Sequence, residues 1–298
     1  MVSSCAHKSE IVAENGSANV PPSAPPVEES YPDNPRTVIS EDEKQDATII
    51  TGLIDNGKLE NHYEKIRINV AHARLKIETA EVKSFPKKTA GLITVKLLKG
   101  PSNCKIKLVT TETRLTLVDF MPEEVKCRFQ IEISTAKPAE LMINIERGVA
   151  SISNWKESIT VESKNADVDI AEVGPTAVKC ERCTFSGSGV YGRLKYEIDN
   201  GNVGVEGLTA TVDGRTLGDV VLKWNKVLPG SFIKVLSHYG DVFLTIPQKT
   251  LLALDLKVPK GEVYSNKKSS ELVLNSAELH GGMPVSVVAE TGNVRIIH

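Results

Sequence analysis

The chain has 298 residues, 40% of them hydrophobic and 25% charged, with a formal net charge of −2. That balance excludes the strongly basic field that nucleic-acid binding needs, and there is no apolar run of the roughly 18 residues a membrane-spanning helix requires. Aromatics are only 5% while Val occurs 32 times, which moves the expectation toward pleated, half-buried strands.

Residues 1–45 read as a Pro/Ser-rich tether. Pro21, Pro22, Pro25, Pro26, Pro32 and Pro35 interrupt a stretch of Ser, Glu, Asn and Ala. It holds too little apolar area to offset the entropy of ordering. Val2-Ser3-Ser4-Cys5 resembles the lipobox of bacterial lipoproteins, an aliphatic residue and two small ones before a Cys that is acylated. The resemblance implies lipidation at Cys5, an extracytoplasmic location, and an export signal upstream of Met1 or already removed. Ser40 to Lys44 could open a short helix.

From about residue 62 the pattern has period two. In Val125 to Ile133 every odd position is apolar or Cys and every even one polar, so the two sets lie on opposite faces of a strand. Cys104 to Leu108, Leu194 to Ile198 and Leu252 to Val258 alternate in the same way. Each run is short and ends near Gly, Pro, Asn or Asp. No amphipathic helix is expected after residue 70.

The C-terminal half carries a tripeptide repeat. Gly201-Asn202-Val203, Gly218-Asp219-Val220, Gly240-Asp241-Val242, Gly261-Glu262-Val263 and Gly292-Asn293-Val294 share it, and Ala166-Asp167-Val168 is a degenerate copy. Gly suits a sharp corner, Asp or Asn satisfies turn backbone, and Val opens the next strand. From residue 166 to residue 201 is about two repeat lengths; the gap before Gly292 implies an insertion or a missed copy. Units of this size cannot bury their own apolar face, so they must stack. The expected fold is all-β, a right-handed β-solenoid-like stack over residues 46–298. Residues 62–145 form an irregular opening sheet and residues 146–298 the rungs. A β-sandwich is the competing architecture.

Lys126 to Ile170, with Tyr239-Gly240-Asp241-Val242-Phe243 and Gly261-Glu262-Val263-Tyr264-Ser265, resembles the bacterial "putative adhesin" family, a domain of unknown function with a right-handed, solenoid-like β fold. The resemblance covers roughly residues 62–298. It implies no assigned catalytic residues.

The remaining motifs are weaker. Gly187-Ser188-Gly189-Val190-Tyr191-Gly192 fits G-x-G-x-x-G, but a strand pattern follows where a dinucleotide site needs a helix, so it reads as a glycine-rich corner. Cys180 and Cys183 form a lone C-x-x-C. In an extended strand their Cα atoms would stand ~10 Å apart, beyond the ~7 Å a disulfide spans, though a tight turn would close the gap. A disulfide, two separate thiols and part of a metal site all stay open there. Cys104 and Cys127 share an inward phase and would pair if their strands are neighbours. The six histidines form no metal-binding set, and no nucleophile elbow or Walker loop occurs. Asp167, Asp219, Asp241 and Glu262 would line one edge and are expected to satisfy turns rather than bind a cation.

No catalytic residue, metal or cofactor is assigned. The expected function is that of a non-enzymatic bacterial cell-envelope protein, lipid-anchored through Cys5 and facing the periplasm or the cell surface. It would present an adhesin-like surface to an envelope protein or polysaccharide. Two other readings stand beside it. One is a self-assembling cytoplasmic scaffold of the bactofilin kind, with the strand ending at His298 left uncapped. The other is a carbohydrate-active β-helix enzyme, disfavoured because Trp155 and Trp224 are isolated.

Overall fold

A computed structural model describes residues 48–86, 89–119, 125–266 and 282–298. The tether, Cys5, His7, His280 and the helix expected at Ser40 to Lys44 lie outside these. The described residues contain no α-helix and build one 19-stranded sheet.

Two pairing regimes divide it. Antiparallel pairing is confined to the N-terminal part: β1 (Thr48–Gly52), β2 (Ile54–Leu59), β4 (Gly91–Lys99), β5 (Ile106–Thr110), β6 (Arg114–Asp119) and β7 (Arg128–Thr135). There β1 pairs with β5, β5 with β6, β2 with β4 and β4 with β7. All other pairing is parallel, with one register shift between Val203–Thr216 and Val220–Trp224 at Val205/Leu208. It runs through β3 (Lys65–Thr79), β8 (Glu140–Ser153), β9 (Ile159–Val173), β10 (Thr176–Arg182), β11 (Phe185–Asn200) and β12 (Val203–Thr216). It continues in β13 (Val220–Trp224), β14 (Ile233–Ser237), β15 (Val242–Thr245), β16 (Leu252–Lys257), β17 (Val263–Ser265), β18 (Met283–Ala289) and β19 (Val294–Ile297).

The long strands bend, so each serves two faces. On the first face Ile66 pairs with Leu141, Leu141 with Ile159, and Ile159 with Thr176. The column goes on through Leu194, Val212, Ile233, Val285 and Leu254. On the second face Leu75, Ala150, Val168, Phe185, Val203, Val220, Val242, Val294 and Val263 form the matching column. Two-residue alternation sends these residues inward, where nearly all are buried. The long valine-rich strands thus contribute one continuous interior rather than separate small cores.

The interior is not only aliphatic. Trp155, Tyr196, Phe129 and Phe185 are fully buried, despite the low aromatic content of the chain. Rings enter where a neighbour gives way: Tyr196 pairs with Gly214, and a Cβ on Gly214 would strike the Tyr196 ring. Trp155 and Trp224 are likewise structural. Each indole donates to a neighbouring level's carbonyl, Trp155 to Ala139 at 2.7 Å and Trp224 to Ala210 at 2.9 Å.

Stacking order differs from chain order at both ends. β3 lies between β8 and the later pair β6/β7. At the other end β18 and β19 slot between β14/β15 and β16/β17. The strand before His298 is therefore flanked on both sides, and the uncapped C-terminal strand expected from sequence is not an edge. Among the described residues the edge strands there are β16 and β17.

The corner motif does align. Ala73, Gly148, Ala166, Cys183, Gly201, Gly218, Gly240, Gly292 and Gly261 occupy one column, in that stacking order. The missed copy between residues 166 and 201 is Cys183-Thr184-Phe185. The long gap before Gly292 arises because Gly292 returns to a position between Gly240 and Gly261.

Candidate binding surface

The corner acids are spent on the fold. Asp167 Oδ1 accepts from the Thr184 N–H at 3.0 Å, Asp219 Oδ1 from the Asp241 N–H at 2.9 Å, and Asp241 Oδ1 from the Asn293 N–H at 2.7 Å. Asn202 and Asn293 serve Asp219 and Glu262 in the same way, at 2.9 and 3.0 Å. Each level thus satisfies an amide of the next. Among the described residues no group of three or more His, Cys, Asp or Glu is placed to hold a metal.

The structure pairs the four described cysteines. Cys104 and Cys127 form a disulfide with Cα atoms 5.8 Å apart, joining the approaches to β5 and β7. Cys180 and Cys183 are also paired, at a Cα separation of 6.2 Å. The ~10 Å expected for an extended C-x-x-C does not apply because the chain turns the corner between them. The glycine-rich Gly187 to Gly192 segment lies within β11 with no helix after it.

Exposed aromatic and cationic side chains gather on the last three levels, β14/β15, β18/β19 and β16/β17. On the outer side of the second face, Phe243 pairs with Arg295 and Arg295 with Tyr264. The Arg295 guanidinium sits 5.5 Å from both ring centroids, a cation held between two rings. Tyr264 donates to Glu262, and that hydrogen bond raises the phenol above its ordinary value. Val221 and Ile297, both half exposed, flank this row.

Around the corner, on the same levels, lies an open cleft of about 760 Å³. Tyr239 stands at one side, 71% exposed, its ring tilted against the His238 ring with centroids 6.4 Å apart. Lys257 and Lys260 bracket Val258-Pro259 on the other side, and Val288 and Thr291 lie between. Glu290 reaches into the same cleft but pairs with His238 Nδ1 at 3.0 Å. Thr291 Oγ1 donates to the His238 carbonyl at 2.9 Å, fixing the turn that carries Tyr239.

Sequence reading missed this cluster. Its members are spread from Tyr239 to Arg295, and only the returned position of β18 and β19 brings them together. The single local signal was the phase of Phe243 and Tyr264, which puts both rings on the polar side of their strands.

No protein-family model and no curated protein matches the chain. Two solved bacterial structures align along most of it. One is described as a putative cell adhesion protein from Clostridium sporogenes, 13% identical over 84% of this chain and 99% of that one, with a TM-score of 0.29. The other is described as a putative lipid binding protein from Parabacteroides distasonis, 12% identical over 84% and 97%, with a TM-score of 0.27. At such scores the likeness carries no argument for a shared fold or activity.

Proposed function

We propose that this chain is a non-enzymatic bacterial envelope protein, lipid-anchored through Cys5, whose stack is a right-handed β-solenoid presenting a binding surface. The observation that carries this reading is the gathering of Tyr239, Phe243, Tyr264, Arg295, Lys257 and Lys260 on the last three levels. Exposed aromatics and Arg are the side chains that dominate recognition surfaces, and here they stand on a rigid ladder.

Position supports the same reading. On the first face, β1 and β16 are the two outermost strands, with the whole stack between them. At about 4.8 Å per strand spacing, the surface stands on the order of 50 Å from where the tether meets the sheet. An anchored protein that must reach outward gains from that separation. The paired cysteines favour an oxidising compartment, and parallel crossovers within one sheet are nearly always right-handed.

Two measurements test it. Expressed behind a lipoprotein export signal, the chain should fractionate with membranes, and a Cys5→Ser variant should not; equal fractionation removes the anchor. The purified full chain should bind isolated cell-wall polysaccharide or envelope protein, and Tyr264→Ala with Arg295→Ala should weaken binding; no binding to any envelope fraction removes the presenting surface.

A further inference from the structure

The charges in and beside the cleft are unequally committed. Glu290, the one carboxylate that lines it, is held by His238; outside it, Asp241 accepts from the Asn293 amide and Glu262 from the Tyr264 hydroxyl. Asp255 accepts from Ser286 Oγ at 3.4 Å. The ammonium groups of Lys257 and Lys260 have no carboxylate within ion-pair distance among the described residues. Acceptors are satisfied internally while cationic donors face an open cleft. That asymmetry favours an anionic visitor.

The shape narrows the visitor further. β14 and β18 are paired on both sides, so an extended peptide cannot add to those two as a further strand; of the first-face strands at this end only β16, which carries Lys257, has an open side among the described residues. The cleft is open and shallow, which suits a length of polymer rather than an enclosed small molecule. Tyr239 offers an uncovered ring, the surface on which the C–H face of a sugar packs. Pro259 stiffens the turn between the two lysines, so their spacing is set before binding.

We propose that this cleft binds an acidic polysaccharide, with Lys257 and Lys260 receiving sugar carboxylates and Tyr239 stacking on a pyranose face. The proposal rests on the binding-surface reading above and names its ligand class.

Polygalacturonate serves as the probe, with its methyl ester, polyglutamate and anionic phospholipid vesicles as comparators. The full chain should bind polygalacturonate with an affinity that falls as salt rises, and should bind the ester at least about tenfold more weakly. Lys257→Gln with Lys260→Gln should cost at least about tenfold and flatten the salt dependence. Both lysines are exposed, so these variants should keep the parent circular dichroism and melting. Tyr239→Ala should weaken the acid and the ester together.

Equal binding of acid and ester overturns the proposal, as does a double variant that binds like the parent. Equal binding of polyglutamate reduces the site to a general polyanion surface and also overturns it, as does capture of vesicles without polygalacturonate. The two readings separate cleanly. If parent and double variant bind cell-wall polysaccharide equally, the cleft assignment falls and the binding surface stands. If neither polygalacturonate nor any envelope material binds, both fall.

Discussion

The long parallel strands bend at two kinds of position, and the two bends follow different rules. At one bend, between the first and second faces, backbone lies against backbone. A Cβ on Gly201 would enter the Cys183 carbonyl, one on Gly240 the Gly218 backbone, and one on Gly292 the Gly240 carbonyl. At the opposite bend the shared property is a left-handed residue: Asn154, Glu172, Gly189 and Gly207, with φ of 54°, 54°, 65° and 68°, occupy equivalent positions. At Gly201, Gly240 and Gly292 so close an approach admits only glycine. A left-handed φ admits Asn and even Glu when local contacts hold them. Glu172 has such contacts: its carboxylate accepts from the Tyr191 hydroxyl at 2.7 Å and lies 3.6 Å from Lys156 Nζ. A steric rule therefore leaves a motif in the sequence, whereas a conformational rule does not.

Matched alanine substitutions break or sharpen that contrast. Gly240→Ala should have the largest effect, about 3 kcal/mol or more of lost stability by urea unfolding, because no flexible side chain is available to yield. Gly207→Ala should cost about 1–2 kcal/mol, the price of a left-handed alanine. Its nearest neighbour, the Gly189 nitrogen, would be 3.1 Å from the new Cβ. Equal losses at the two bends would refute the distinction. Asp219→Ala should cost about 1 kcal/mol by removing one acceptor from the corner ladder, and Asp219→Asn should recover most of it, since Asn already fills that role at 202 and 293.

The smallest effect belongs to the faces between the bends. Tyr196 is fully buried and its hydroxyl has no partner. Tyr196→Phe should be neutral or slightly stabilising at pH 7, because an unsatisfied hydroxyl is lost. Burial, with Asp213 nearby, raises the phenol above its ordinary 10.0. The folded state therefore keeps a proton that the unfolded state releases. Its stabilising contribution is complete below pH 10 and declines as pH rises beyond it. A urea series from pH 8 to 11 should show a steeper alkaline loss for the parent than for Tyr196→Phe; parallel curves would place that sensitivity elsewhere.

Much of the architecture was legible locally. Alternation over Val125 to Ile133 and Leu194 to Ile198 pointed to strands that the structure places at Arg128–Thr135 and within Phe185–Asn200, and the glycine corner located five of the levels. Cys183-Thr184-Phe185 escaped because Thr replaces Asp and Cys replaces Gly, which this level tolerates as it tolerates Ala166. Gly201, stacked next to Cys183, has no such freedom. The rearranged order at both ends left no trace, since period-two patterning says which face a residue takes but not which strand it meets. The cleft was hidden for the same reason: Tyr239, Lys257 and Thr291 become neighbours only through that order.

The return of β18 and β19 also has a temporal meaning. A ribosome delivers Lys257, Lys260 and Tyr264 before the two strands that hold them against the rest of the stack. Among the described residues, β16 has no parallel partner until Met283–Ala289 emerges, and β17 none until Val294–Ile297 does. Assembly at this end therefore cannot simply follow synthesis, and the surface forms last. A chain cut short within β18 or β19 loses the cleft along with a strand.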